Sequence, residues 1–273
     1  NKEEEKEEEE EKEEEEKEEK EEKEEKEEFI DIDWTPDEYT DMNYLAFKLS
    51  IEKKIAKIIS FKCQEEEEEV TIPSVTEFIG QTFRVTRIDD GAFHNSKIQI
   101  LSFEDESSVE SIGDFAFENS GIKELTIPPS LKLIGPNFLQ GANQLEKINV
   151  SEGNKHFSLV DDFLIRTHGA RKELIFVPLN AIRNELTLPK EINSLSNFLF
   201  QQSKTLTSIT SDEPPRNGIT FKVGEKYFED CRSLKKASFK NKGKSVFAPF
   251  SFSGCINIEN VSMLGVEELE FGA

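Results

Sequence analysis

The sequence says nearly the same thing several times. "IGDFAFENSGIKELTIP" occupies residues 112–128, "IDDGAFHNSKIQILSFE" begins at Ile88 and "IGPNFLQGANQLEKINV" begins at Ile134. Aligned on a shared Phe, the copies give I-x-x-x-A-F, a short polar turn, an apolar residue, then L/I-x-I/F. Phe93, Phe117, Leu139, Phe200, Phe228 and Phe252 fill the Phe position. The closing triplets are Leu101-Ser102-Phe103, Leu125-Thr126-Ile127, Ile148-Asn149-Val150, Leu186-Thr187-Leu188, Ile209-Thr210-Ser211, Ala237-Ser238-Phe239 and Val261-Ser262-Met263. Two separated stretches, 125–152 and 186–213, align without a gap. They share Leu125/Leu186, Thr126/Thr187, Pro128/Pro189, Gln140/Gln201, Leu145/Leu206, Ile148/Ile209 and Glu152/Glu213, the mark of internal duplication.

A three-residue strand with apolar outer residues cannot bury them alone. Stacking such strands in parallel puts both into one continuous core and leaves the middle residue outside. The period of 22 to 24 residues between copies lies in the leucine-rich-repeat range. The Phe of each turn then stacks on the next, which accounts for 22 Phe against 3 Tyr and 1 Trp. Pro128, Pro178 and Pro189 each follow a strand, where a missing N–H is tolerable and the chain must bend. The expected fold is a repeat solenoid of about seven coils, β-rich, with one long parallel sheet and short turns or helical pieces. Residues 151–188 break the period: "FSLVDDFLIRTHGARKELIFVP" places two apolar runs around Thr167-His168-Gly169-Ala170, a hairpin signal within one enlarged coil.

Two segments precede the array, which is expected over 70–273. Residues 1–28 are almost wholly Glu and Lys and carry a net −13 of the total −23. Glu→Lys pairs at Glu8/Lys12, Glu13/Lys17, Glu16/Lys20, Glu19/Lys23 and Glu22/Lys26 support a helix. With nothing apolar to bury and excess Glu repelling itself, a helical or disordered solvated tail is expected. Residues 29–69 read as an N-terminal cap. Within it, alternation at Leu45, Phe47, Leu49 and Ile51, a turn at "EKK" and the apolar run from Ile55 to Phe61 predict a β-hairpin over 44–63. Glu65–Glu69 reads as an acidic loop. At the other end, Leu269 and Phe271 open a strand whose coil is incomplete, so a truncation, an exposed edge or a pairing partner is expected.

The phrases "IGDFAF…IKELTIP", "VTIPSV…GQTFRVTRIDDGAF" and "FSLVDDFLI…KELIFVP" resemble the BspA-like leucine-rich-repeat family, over about residues 70–271. That family is abundant on the surfaces of certain bacteria and parasitic protists. The resemblance implies a non-enzymatic surface or secreted protein, with relatives linked to adhesion and host contact. The charged tail departs from a simple secreted start. An intracellular repeat scaffold is the alternative reading, and an acidic-tail chaperone or buffer for basic proteins or cations is a third.

Chemistry is sought in what varies between copies. Ser102, Thr126, Asn149, Thr187, Thr210, Ser238 and Ser262 are the middle residues of the triplets. Stacked in parallel they form a ladder of small polar groups, flanked by Glu124, Lys147, Glu185, Lys236 and Glu268. This face is expected to dock a protein or glycan, although Thr and Ser also simply suit exposed strand positions. Cys231 and Cys255 fall at one template position in adjacent coils and read as stacked small apolar groups, with a disulfide between coils as the alternative. With Cys63 they make three cysteines, which is no disulfide framework and has no zinc spacing.

No catalytic residues, metal ligands or cofactor are expected. The chain has no HExxH, GxSxG, P-loop or GxGxxG. His94, His156 and His168 sit at unrelated repeat positions, and Asp161-Asp162 is read as two strand neighbours pointing to opposite faces. Asp31, Asp33, Asp37, Asp41 and Asn43 lack the Gly and Glu of an EF-hand. The acidic balance and the absence of a basic stripe argue against nucleic acid, and no apolar run reaches the ~20 residues of a membrane span. The sequons at Asn149 and Asn260 lie in or beside strands and are expected to stay unmodified. The sequence opens on Asn, so a missing leader carries no weight.

Overall fold

The computed structural model describes residues 20, 32–41, 43–63, 69–169, 171–177, 184–197, 199–200, 203–211, 221–223 and 226–271, without the side chains of 221–222, 241–244 and 264–271. Apart from Lys20, the tail 1–28 lies outside the described residues, as do Ala170, Pro178 and most of the Glu65–Glu69 run. From Ile32 onward the regular elements among the described residues are all strands. The chain divides into two compact units, one of Asp33–Ile165 with Phe176–Ala181, the other of Asn1–Ile32, Arg166–Ile175 and Ile182–Ala273.

The first unit begins with β1 (Tyr39–Thr40), β2 (Leu45–Ser50) and β3 (Ile55–Phe61). β2 and β3 pair antiparallel around the turn at 51–54. Next come β4 (Glu69–Ile72), β5 (Val75–Phe78) and β6 (Gln81–Ile88), with β5 and β6 forming a second hairpin. Three coils then follow as β7 (Ile100–Phe103) and β8 (Ser111–Ile112), β9 (Glu124–Ile127) and β10 (Leu133–Ile134), and β11 (Lys147–Val150). Each coil feeds two parallel ladders. One is β3-β6-β8-β10; the other is β4-β7-β9-β11. Between them lie Ile58, Ile88, Phe93, Leu101, Ile112, Phe117, Leu125 and Ile127, all buried.

Equivalent backbone groups join successive coils. The Phe93 N–H donates to Ala116 O and the Phe117 N–H to Phe138 O, both at 2.7 Å, while the Gly113 N–H reaches Ile88 O and the Gly135 N–H reaches Ile112 O, both at 2.8 Å. These bonds hold the turns one above another, so the rings stack: Phe61 on Phe93 at 5.5 Å and Phe93 on Phe117 at 5.3 Å between centroids. Asn95 and Asn119 occupy the same left-handed position, with φ of 57° and 53°, and Gly141 takes it in the next coil at 72°. Asn and Gly are the residues that visit this region at least cost.

β12 (Phe157–Val160) and β13 (Phe163–His168) are joined by Asp161-Asp162, with φ of 51° and 66°. Two consecutive positive φ values are the backbone of a type I′ turn. The pair is therefore a turn, not two residues of one strand, because β12 stops at Val160. β14 (Arg171–Phe176) follows the Gly169 turn.

The second unit repeats the plan with β15 (Glu185–Leu188), β16 (Ser194–Leu195), β17 (Ser208–Ser211), β18 (Phe221–Val223), β19 (Lys236–Phe247) and β20 (Asn260–Phe271). β15, β17 and the first residues of β19 make one parallel ladder; β14, β16, β18 and the last residues of β19 make the other. β19 therefore runs through both ladders without a break, and β20 follows it in parallel with bulges between Lys240 and Lys244. Phe200 stacks on Phe228 at 5.9 Å and Phe228 on Phe252 at 5.0 Å. Pro128 and Pro189 end β9 and β15, and each carbonyl accepts an N–H three residues on, from Leu131 and Ile192.

Candidate binding face

The middle residues of the triplets are brought together in two rows, one in each unit. In the first unit Ser102, Thr126 and Asn149 sit on β7, β9 and β11, with Asn149 in register with Thr126. In the second, Thr187 is in register with Thr210, Thr210 with Ser238 and Ser238 with Ser262. Their neighbours Leu125, Ile127, Leu186, Leu188, Ile209 and Ala237 are buried, so alternation along each short strand turns the polar middle residue outward. All seven are half-buried or exposed.

Hydrogen bonds run along the rows as well as between backbones. The Thr187 and Thr210 hydroxyls lie 3.3 Å apart, and Ser262 Oγ donates to Ser238 Oγ at 2.8 Å. In the first unit Lys147 Nζ donates to Glu124 Oε1 at 2.9 Å and Asn149 Nδ2 to the same oxygen at 2.5 Å. Lys147 first and Asn149 second hold the Glu124 carboxyl below its ordinary range. Glu185 and Lys236 flank the second row and are exposed, while the Glu268 side chain lies outside the described residues.

The first row has a fourth member that the triplet alignment missed. Thr71 on β4 is in register with Ser102, and their hydroxyls lie 2.9 Å apart. Ser102 also donates to Glu69 Oε1 at 3.3 Å. The signal was present: "EVTIP" at 69–73 repeats "ELTIP" at 124–128 and "ELTLP" at 185–189.

The remaining candidates serve the fold. None of Cys63, Cys231 and Cys255 is joined in a disulfide. Cys231 Sγ donates to Phe200 O at 2.7 Å and Cys255 Sγ to Phe228 O at 3.0 Å, each one coil back. Burial pushes the Cys231 thiol up to about 12, and it raises Cys255 too. Asp41 Oδ1 accepts the N–H groups of Asn43 and Leu45, both at 2.9 Å, which commits this carboxylate to its own turn. Asp31 lies outside the described residues. His94 Nδ1 pairs with Glu118 at 2.9 Å. Among the described residues no group of three or more His, Cys, Asp or Glu could hold a metal ion, and no helix is long and apolar enough to cross a membrane.

Solved structures match this chain at low sequence identity. A leucine-rich repeat protein from Eubacterium ventriosum is 18% identical, covers 85% of this chain and 86% of its own, and superposes with a TM-score of 0.48. A leucine rich cell surface protein from Faecalibacterium prausnitzii is 13% identical over 88% of this chain and 96% of its own, with a TM-score of 0.40. The pneumococcal vaccine antigen PcpA is 18% identical over 88% and 82%, with a TM-score of 0.42. No curated protein matches the sequence. Six copies of one repeat model cover residues 60–159 and 180–271, so the chain belongs to the BspA type leucine rich repeat region family, whose arrays are protein-interaction modules.

Proposed function

We propose that the chain is a non-enzymatic adhesion or interaction module of the surface or secreted type, docking a protein or glycan through its polar rows. The observation that carries this reading is the in-register row of outward hydroxyls and amides, Thr71, Ser102, Thr126 and Asn149 in one unit and Thr187, Thr210, Ser238 and Ser262 in the other. Strands set these groups ~4.8 Å apart, so a partner meets donors and acceptors that lose little freedom on binding. The Thr71–Ser102, Thr187–Thr210 and Ser262–Ser238 hydroxyls bond one another and keep acceptor capacity for a ligand. Repeat regions of this family are generally non-enzymatic.

The test is a screen of the immobilised chain against purified extracellular-matrix proteins and a glycan array. Replacing Thr126, Thr187 and Thr210 together with Arg is expected to abolish the capture seen with the wild type while leaving the circular dichroism spectrum unchanged. A folded variant with undiminished capture would move the binding surface elsewhere.

A further inference from the structure

Three successive stretches, 95–99, 119–123 and 141–144, lead from the Phe turns into β7, β9 and β11. Between them runs a groove of about 460 Å³, within the ~300–1,000 Å³ usual for small-ligand sites. It opens because the middle copy has Gly121 where its neighbours have Lys97 and Asn143. A side chain on Gly121 would start 3.4 Å from Ile98 O and fill the space.

The lining is chemically selective. It consists of amides, hydroxyls, glycines and two ammonium groups, with no carboxylate and no aromatic ring. That is unusual in a chain with 57 acidic against 34 basic residues. Lys123 Nζ donates to Gln99 Oε1 at 2.8 Å, which fixes both side chains along one wall. Lys97 stands exposed on the same coil as Gln99. Ser96 and Ser120 are only 8% and 4% exposed, and neither hydroxyl has a hydrogen-bond partner among the described residues. Buried hydroxyls are normally satisfied, so the groove lies over unmet hydrogen-bonding capacity.

We propose that this groove, separate from the polar rows, binds an acidic oligosaccharide bearing a uronate or sialate carboxylate. Lys97 and Lys123 meet the carboxylate through charge-assisted hydrogen bonds. The amides of Asn119 and Asn143 meet ring hydroxyls as donors and acceptors at once. Neutral sugars are disfavoured because no aromatic platform is present for their apolar faces and the ammonium groups would be desolvated without a counter-charge.

The experiment is a titration of the ¹⁵N-labelled full chain with 3′-sialyllactose, with a hyaluronan tetrasaccharide and with lactose. At least one acidic sugar is expected to shift the amides of Lys97, Asn119, Gly121 and Asn143, while lactose leaves them in place. Lys97→Glu is expected to weaken the response about tenfold, the loss of one charge-assisted contact, and Gly121→Phe to block it. Lys97 is exposed, so its substitution preserves the fold even if Gly121→Phe does not. Silence with both acidic sugars, an equal response to lactose, or full affinity in Lys97→Glu overturns the proposal.

Discussion

Gly113 stands against Asp90 of the preceding coil. A Cβ on Gly113 would fall 2.2 Å from Asp90 Oδ1 and 2.6 Å from the Asp90 backbone nitrogen. The same Oδ1 accepts the Asp114 N–H at 3.0 Å, so the carboxylate cannot swing aside without losing a bond between coils. Gly135 meets Asp114 in the same way one coil further on. Gly113→Ala is therefore expected to force the backbones apart and destabilise by about 1–3 kcal/mol, the usual cost of overpacking. Urea denaturation reads this as a lower midpoint. Gly121→Ala, whose Cβ would have 3.4 Å of room, serves as the control; an equal loss there would remove crowding as the cause.

The cysteines give a pH prediction. With its folded value pushed up to about 12 from 9.0, Cys231 keeps its proton in the fold while the unfolded chain gives it up. A raised value means that the contribution is fully present below pH 9.0 and is lost as pH rises towards about 12. Stability is expected to fall across that alkaline window, and Cys231→Ala to flatten the fall. In the native fold at pH 8, a thiol reagent is expected to leave Cys231 and Cys255 unlabelled until denaturant is added. Rapid labelling of either without denaturant would contradict their burial.

Ser96 and Ser120 occupy the repeat position that Cys231 and Cys255 fill in the second unit. The longer C–S bond lets the thiols reach a carbonyl one coil back, whereas the shorter hydroxyls find no partner. Ser120→Cys is expected to raise stability by about 1 kcal/mol, by removing an unsatisfied buried hydroxyl. Thermal unfolding of the single variant checks this, and an unchanged or lowered midpoint would count against it.

Ile79 lies at the tip of the β5–β6 hairpin with φ of 50°, followed by Gly80 at 68°. It is 84% exposed. A β-branched residue in the left-handed region is strained, and here no burial offsets the strain. Asn-Gly is the preferred pair for such a turn, so Ile79→Asn is expected to stabilise by about 1 kcal/mol. Chemical denaturation is the readout; no gain would mean the tip relaxes freely in solution.

How much of this was legible depends on how often each feature is repeated. The ladder with Thr126 and its counterparts could be read because its strands alternate and recur with nearly the same letters. Thr71 escaped because "EVTIP" follows no copy of I-x-x-x-A-F; the stacked ring beneath that coil is Phe61, supplied by β3. The second ladder was hidden for a different reason. Strands such as Ser111–Ile112 and Leu133–Ile134 are two residues long, too short to show a period. The turn at Asp161-Asp162 was masked by the apolar residues on both sides of it. The unpartnered hydroxyls of Ser96 and Ser120 depend on bond lengths and neighbouring carbonyls, which no residue pattern encodes.

The bonds from Phe93 to Ala116 and from Phe117 to Phe138 join equivalent atoms of consecutive coils. Each junction is thus interchangeable with the next, which constrains how such a gene can change length. Gaining or losing one whole coil recreates the same junction and adds or removes a single rung of polar side chains. An insertion of a few residues within a turn shifts every later donor off its acceptor. Growth of the protein is quantised, and so is the reach of any ligand it holds.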